Sequence, residues 1–391
     1  MRICYALPYY DPAYTDPERY LERARLLRHL PQAVAGLGHE VDVVVLFPTP
    51  HTFEEGGVGY HFVPSSRPVR SLARRAGGWL GRRQAAMEPA LRVLGTIRRL
   101  RPDLVHFHGT NLYLNHALLL ATWGRQCPPL VLHHHGGFPS PNRLVRRVQR
   151  FNLRRVARFL FTAEAHAQPF LDAGLINRPQ RIVSFIETSS PFRWQAREEA
   201  RRQTGMTGTP VLLWAGRLDA NKDPMTALRG FEQILPARPQ ARLYLYYLED
   251  DLLPTLRQYV AARPLLQERV HFRGRVPFSQ METIFNSADL FLQASRREIA
   301  GHAILDAMAC GVIPVVTDIP SFQAITDDGR YGALFPPGDA ETLARGVLAV
   351  PLEDIPDQSR QVRAWFEHAL SFPALARQLD TLYREVVDEC V

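Results

Sequence analysis

The chain has 391 residues, 46% of them apolar and 22% charged, with 47 Lys+Arg against 39 Asp+Glu and a formal net charge of +8. One of those cations is a lysine, Lys222, and all the others are arginines. Its neighbourhood, Leu218-Asp219-Ala220-Asn221-Lys222-Asp223-Pro224, fits neither a P-loop GK[ST], nor a pyridoxal phosphate Schiff base, nor the strand lysine of a protein kinase.

The length predicts two domains, each with apolar material for its own core. Short apolar β-type runs alternate with helical patterns. Met1 to Leu7 reads as a first strand, Tyr20 to Leu37 as a helix ending at Gly38, and Glu40 to Phe47 as a second strand. Leu104 to His108, Leu130 to His134, Phe159 to Thr162 and Ile182 to Ile186 follow as strands. Thr188 to Arg202 interrupts the pattern with Pro and charge, which places a seam there. The alternation restarts at Pro210 to Ala215, then Ala241 to Leu248, Val270 to Phe272, Leu290 to Gln293 and Ile313 to Thr317. Two successive βα series predict an α/β chain of two doubly wound, Rossmann-like units. Ligands of such folds bind beyond the carboxyl ends of the strands, so the chemistry is expected in loops that follow strands, facing a cleft.

Charge divides unevenly. Residues 1 to 195 carry 26 Arg and 13 Asp+Glu, a balance of +13, and the remainder comes to −5. The arginines of the first half concentrate between Arg67 and Arg99 and between Arg143 and Arg158. A basic helical face suits an anionic membrane surface or a phosphate-bearing acceptor, and a solvated face in an arginine-rich chain is the alternative. No nucleic-acid reading motif accompanies the charge, so no nucleic acid partner is expected. The four cysteines, Cys4, Cys127, Cys310 and Cys390, have neither zinc-ligand nor disulfide-framework spacing, which points to a reducing cytoplasm. The start MRICYALPYYDP does not read as a signal peptide, and no run reaches the apolar length of a membrane span. The expected location is cytoplasmic, with peripheral contact at the inner membrane face open.

Two constellations carry chemistry. After the strand 210 to 215 come Gly216, Arg217 and Lys222, in which a glycine permits close backbone approach and two cations five apart can reach one anion, such as a diphosphate. After the strand 290 to 293, Glu298 and Asp306 lie eight apart around Gly301, so one acid precedes a helix and the other sits in its second turn. Backbone N–H groups at that helix start would favour an anion. Taken singly, each has a bland alternative: a surface turn, or a solvated helix face. Glu249-Asp250-Asp251 is the nearest approach to a metal-holding DxD, but its spacing is wrong, and two adjacent acids at a strand end read as a helix cap; no metal is expected.

Taken in order, these runs resemble the retaining GT-B glycosyltransferases of the family 4 type, the glycosyl transferases group 1. Gly216, Arg217 and Lys222 are similar to that family's GR-x4-K element, Glu298 to Asp306 to its E-x7-E element, and DAMACGVIPVV at 306 to 316 to its EAMA-x-G-x-PVV run. GHEV at 38, PDLVHFHG at 102, HHHG at 133 and YGALFPPGDAETLARGV at 331 add further matches. The resemblance implies an acceptor-binding domain over 1–190, a donor-binding domain over 191–370, and a C-terminal helix over 371–391 that crosses back to the first. It implies transfer of a hexosyl-type sugar from a nucleotide-diphosphate donor, a UDP- or GDP-sugar serving as co-substrate with no cofactor. The acceptor hydroxyl would attack by metal-independent front-face substitution.

In that scheme Arg217 and Lys222 bind the diphosphate, Glu298 the sugar hydroxyls, and Asp306 the ribose. Gly301 and His302 meet the diphosphate or sugar through the backbone, and His135 reaches the sugar. His108 is a weaker candidate, since His106 or His108 also reads as a core residue. A sugar-nucleotide epimerase and a catalytically weak binding protein are the alternatives. The acceptor expectation is a lipid-linked or anionic molecule, or a small metabolite. The chain departs from the family in the loop Pro8-Tyr9-Tyr10-Asp11-Pro12-Ala13, where a glycine pair is expected. It departs again at Tyr247-Leu248-Glu249-Asp250, at Ile186-Glu187-Thr188-Ser189, and in the shorter Asp306.

Overall fold

The computed structural model describes residues 1–9, 13–65, 90–110, 113–124 and 127–389. Tyr10 to Pro12 of the first loop, most of the Arg67 to Arg99 stretch and Cys390 lie outside the described residues. Contacts divide the chain into two compact units, Met1–Thr188 with Phe372–Val391, and Ser189–Ser371.

The first unit is built on an eight-stranded sheet: β1 (Arg2–Leu7), β2 (Glu40–Phe47), β3 (His51–Glu55), β4 (Val58–Pro64), β5 (Leu104–His108), β6 (Leu130–His133), β7 (Arg158–Phe161) and β8 (Ile182–Ser184). Their order is β3-β4-β2-β1-β5-β6-β7-β8, and the pairings are parallel except between β3 and β4. Alternation along β1 shows why both faces need cover. Ile3 and Tyr5 enter one apolar cluster, Cys4 and Ala6 the other, and all four are at most 1% exposed. The helix Phe372–Asp388 closes the Ile3/Tyr5 face with Leu375, Leu379 and Tyr383, beside the helix Arg25–Ala35.

Three strands fall outside the sequence expectation. β3 and β4 form a hairpin across Gly56 and Gly57, whose φ values of +58° and +76° suit a two-residue turn; the Gly-Gly pair is its sequence signal. The short β14 (Ala333–Phe335) lies in the other unit. The expected helix Tyr20 to Leu37 is two helices, Pro17–Arg23 and Arg25–Ala35, broken at Ala24 (ψ 55°). Leu21 and Leu27 would point about 120° apart on one continuous helix, and the break lets both bury, at 0% and 3% exposure.

The second unit carries a parallel sheet in the order β11-β10-β9-β12-β13-β14, with β9 (Val211–Gly216), β10 (Arg242–Tyr247), β11 (Val270–Gly274), β12 (Leu290–Gln293) and β13 (Ile313–Thr317). Strand order reverses between β9 and β12, which makes their carboxyl ends the crevice of this sheet. Among the described residues no helix is long and apolar enough to cross a membrane.

Candidate functional site

β9 and β12 are neighbours, so the loops that leave them run side by side although 76 residues separate Lys222 from Glu298. Backbone and side chains stitch the two loops together: the Arg296 N–H donates to the Asn221 carbonyl at 2.7 Å, and Asn221 Nδ2 donates to the Arg297 carbonyl at 3.1 Å. On the first loop, the Lys222 N–H donates to Asp219 Oδ1 at 2.8 Å. Asp223, at φ +43°, caps the helix Pro224–Ile234 through the Thr226 N–H and pairs with Arg296 at 3.1 Å. These bonds aim Lys222 Nζ at Glu298 Oε1. Gln293 Nε2, from the end of β12, donates to the same oxygen at 3.1 Å, and the Ser321 hydroxyl donates to the Glu298 carbonyl at 2.5 Å. The ion pair is mostly buried, with 17% and 14% of its two side chains exposed, so its electrostatics are stronger than in water.

The other predicted residues of this unit do not all join that pair. Arg217 is half exposed and turns to Asp219 at 3.1 Å and Glu249 at 3.9 Å. Gly216 ends β9, where an added Cβ would crowd Trp214 at 3.3 Å. Gly301 sits at φ +64° before the helix His302–Ala309, and no side chain caps that helix. A Cβ at Gly301 would stand 2.9 Å from Ile325 Cδ1 and 3.1 Å from Ile304 Cγ2, so only glycine fits both the conformation and the space. Asp306 lies one turn after His302, is buried, and accepts a hydrogen bond from the Ser190 hydroxyl at 2.5 Å. Sequence reasoning did not single out Ser190, Gln293 or Ser321: the partners of Ser190 and Ser321 lie 116 and 23 residues away, and Gln293, five residues before Glu298, reads as an ordinary strand end.

The expected helix cap at Glu249-Asp250-Asp251 is corrected. The helix Leu253–Ala261 starts after Leu252 without a side-chain cap, because Pro254 in its first turn fixes the start beyond the acids. Those residues form a turn instead: the Glu249 carbonyl accepts the Leu218 N–H at 3.0 Å and the Asp250 carbonyl accepts the Leu253 N–H at 2.8 Å.

In the first unit, the adjacent strands β5 and β6 set His106, His108 and His133 on one face, with His135 just beyond. His135 Nδ1 donates to Glu187 Oε1 at 2.6 Å, and His135 Nε2 faces His108 Nδ1 at 2.6 Å. His106 bonds the Tyr383 hydroxyl through Nδ1 and His133 Nδ1 through Nε2 at 3.2 Å, while Tyr383 donates to Tyr5 Oη at 3.0 Å. Burial, the largest cause, holds His106 neutral by pushing it down to about 3, and drives His108 and His133 well below the usual range.

Neutral rings then fix the protons. With Tyr383 donating to Tyr5, His106 Nδ1–H donates to Tyr383, and His133 Nδ1–H donates to His106 Nε2. His108 Nδ1 and His135 Nε2 share one further hydrogen bond. His133 Nε2, buried and without a partner, is then a bare lone pair rather than a stranded N–H group. His106, His108 and His133 are the group able to hold a metal ion among the described residues, and an ion there would compete with a hydrogen bond already made by His106. The Glu187 that departs from the family pattern is thus the partner of the predicted His135.

Comparison with known proteins agrees with this architecture. Residues 24–185 match the family model of the glycosyl transferase 4-like domain, and residues 209–351 match that of glycosyl transferases group 1. The chain is 26% identical over 310 residues, 77% of its length and 76% of the relative's, to the GDP-mannose:cellobiosyl-diphosphopolyprenol alpha-mannosyltransferase of Xanthomonas oryzae pv. oryzae. Among solved structures it resembles the sucrose-phosphate synthase of Thermosynechococcus elongatus (TM-score 0.68, 18% identity, 99% of each chain). Anabaena HepE, solved with UDP and glucose, is similar in fold at TM-score 0.67 and 18% identity, over 98% of this chain and 100% of that one. With both halves of the chain matched and two parallel α/β sheets of the GT-B kind, the protein belongs to the glycosyl transferases group 1 and is a glycosyltransferase.

Proposed function

We propose that the protein moves a sugar from a nucleotide-diphosphate donor to an acceptor hydroxyl with retention at the anomeric carbon and without a metal ion. The observation that carries this reading is the Lys222–Glu298 pair at the crevice between β9 and β12. A bound donor would bring its diphosphate to Lys222 and Arg217 and its sugar hydroxyls to Glu298. The ammonium would then face the charge that grows on the leaving group, in a mostly buried setting where such stabilisation is large. Gly301 and His302 offer backbone N–H groups to the diphosphate or sugar, and Asp306 keeps a carboxylate for the ribose. The role that the resemblance gives His135, contact with the transferred sugar, is proposed likewise.

In the step itself the bond between the anomeric carbon and the diphosphate oxygen breaks as the acceptor oxygen bonds to the same face. The acceptor proton passes to the departing diphosphate, so no side chain need act as nucleophile. Two cations facing the diphosphate supply the charge that a divalent ion would otherwise bring. The name of the Xanthomonas relative favours a GDP-sugar donor and a lipid-diphosphate acceptor; a UDP-sugar is the alternative that the panel below separates.

Thermal shift against UDP-, GDP-, ADP- and TDP-sugars identifies the donor by mass action. Turnover with the stabilising sugar should release nucleoside diphosphate only when acceptor is present, in chelator-treated buffer, and give a product of unchanged anomeric configuration. Isomerisation of the donor without release would favour the epimerase alternative and overturn the reading.

A further inference from the structure

We propose that the helix Arg143–Leu153 of the first unit docks the protein onto an anionic phospholipid bilayer, lying in the plane of the interface. Large apolar side chains stand exposed singly at several places in the chain, which is ordinary. This helix differs because it exposes three: Leu144 at 72%, Val148 at 40% and Phe151 at 66%. At about 100° per residue they fall within an arc of about 60°, one stripe along the helix. Its far side buries Gln149, Asn152 and Leu153 against the unit.

Charge completes the match. Arg143 and Arg147 flank the stripe, and Arg154 follows on the same side. Among the described residues none of Arg143, Arg146, Arg147 and Arg154 pairs with an acid. From residue 104 to residue 163 the chain holds eight arginines and no Asp or Glu. Guanidinium groups beside an apolar stripe are what an anionic headgroup layer over an acyl core favours, whereas a protein partner would more often need acids opposite the arginines and hydrogen-bonding groups along the rim. The helix is already formed: Asn142 Oδ1 accepts the Leu144 N–H at 2.9 Å and the Val145 N–H at 3.3 Å, so docking need not also fold it. The inference does not depend on the donor or acceptor assigned above, since binding is read without either.

The test is sedimentation of the full chain with phosphatidylcholine vesicles, with and without about 30 mol% phosphatidylglycerol. The expected result is binding that requires the anionic lipid and weakens with salt. Leu144→Ser with Phe151→Ser should weaken it at least about tenfold, and Arg143→Ala with Arg147→Ala should weaken it and flatten its salt dependence. A single Phe151→Trp should blue-shift its emission on vesicles. Because all four positions are exposed, thermal unfolding and its shift by the stabilising nucleotide sugar should stay at the parent values. Equal binding by parent and Leu144/Phe151 variants, unshifted Trp emission, or a dimer in ultracentrifugation that the serine variants dissolve would each overturn the proposal.

Discussion

At the carboxyl edge of the second unit's sheet, the polar groups stand in loops and carry opposite full charges, Lys222 against Glu298. At the corresponding edge of the first unit they stand on or just after the strands and are largely neutral imidazoles, stacked and hydrogen-bonded to tyrosine and to each other. Loops keep part of their surface in water, so an ion pair there retains its charge and can exchange partners with an incoming anion. Strand residues at the centre of a parallel sheet are enclosed on both faces, so their polar groups persist only if neutral and mutually satisfied. The first arrangement suits binding of a charged ligand; the second fixes geometry, with His135 and Glu187 as its partly open end.

The contrast breaks most directly at the ion pair. Lys222→Ala and Glu298→Ala should each lower kcat/KM by about 10²–10³, the range for losing one preorganised electrostatic partner, measured as nucleoside diphosphate release. Loss below threefold in both would mean that the β9–β12 crevice is not the reacting site.

A second test separates the units by acid. His106 and His116, held down to about 3, and His134, held down to about 4, take up protons in the unfolded chain from about 6.5 downward but not in the fold. Their contribution to stability is therefore full above about pH 6.5 and is lost as pH falls towards 3, each adding up to about 1.4 kcal/mol per pH unit inside that window. Hydrogen exchange at decreasing pH should show the first unit opening before the second; simultaneous opening would remove the distinction.

Within the histidine network, Tyr383→Phe removes the hydroxyl between His106 and Tyr5 and leaves both buried partners short of a bond. A cost of about 1–3 kcal/mol is expected in urea unfolding. Gly301→Ala should cost a similar amount and also impair turnover, because the new methyl meets Ile325 at a φ of +64°. The smallest expected effect is that of Lys222→Arg, about tenfold in kcat/KM, since a planar guanidinium keeps the charge but not the compact ammonium that meets Glu298. Undiminished turnover in Lys222→Arg would show that the lone lysine among so many arginines is a compositional accident.

Much of this was legible from residues alone. Apolar runs and their alternation give most parallel strands of both sheets, and the spacings Gly216–Lys222 and Glu298–Asp306 mark the loops in which Lys222 and Glu298 meet, because period and turn chemistry are local properties. Gly301 too is readable, as the residue that lets a helix start at a left-handed step. What local pattern could not give is who meets whom. Lys222 finds Glu298 only because β10 and β11 are laid outside β9 and leave β12 beside it. His135 finds Glu187, 52 residues on, and Asp306 finds Ser190, 116 residues back. Arg217, equivalent to Lys222 as a cation in the sequence, is drawn off to Asp219 and Glu249. Partner choice across such separations is set by strand order and burial, and these exist only once the sheet has assembled.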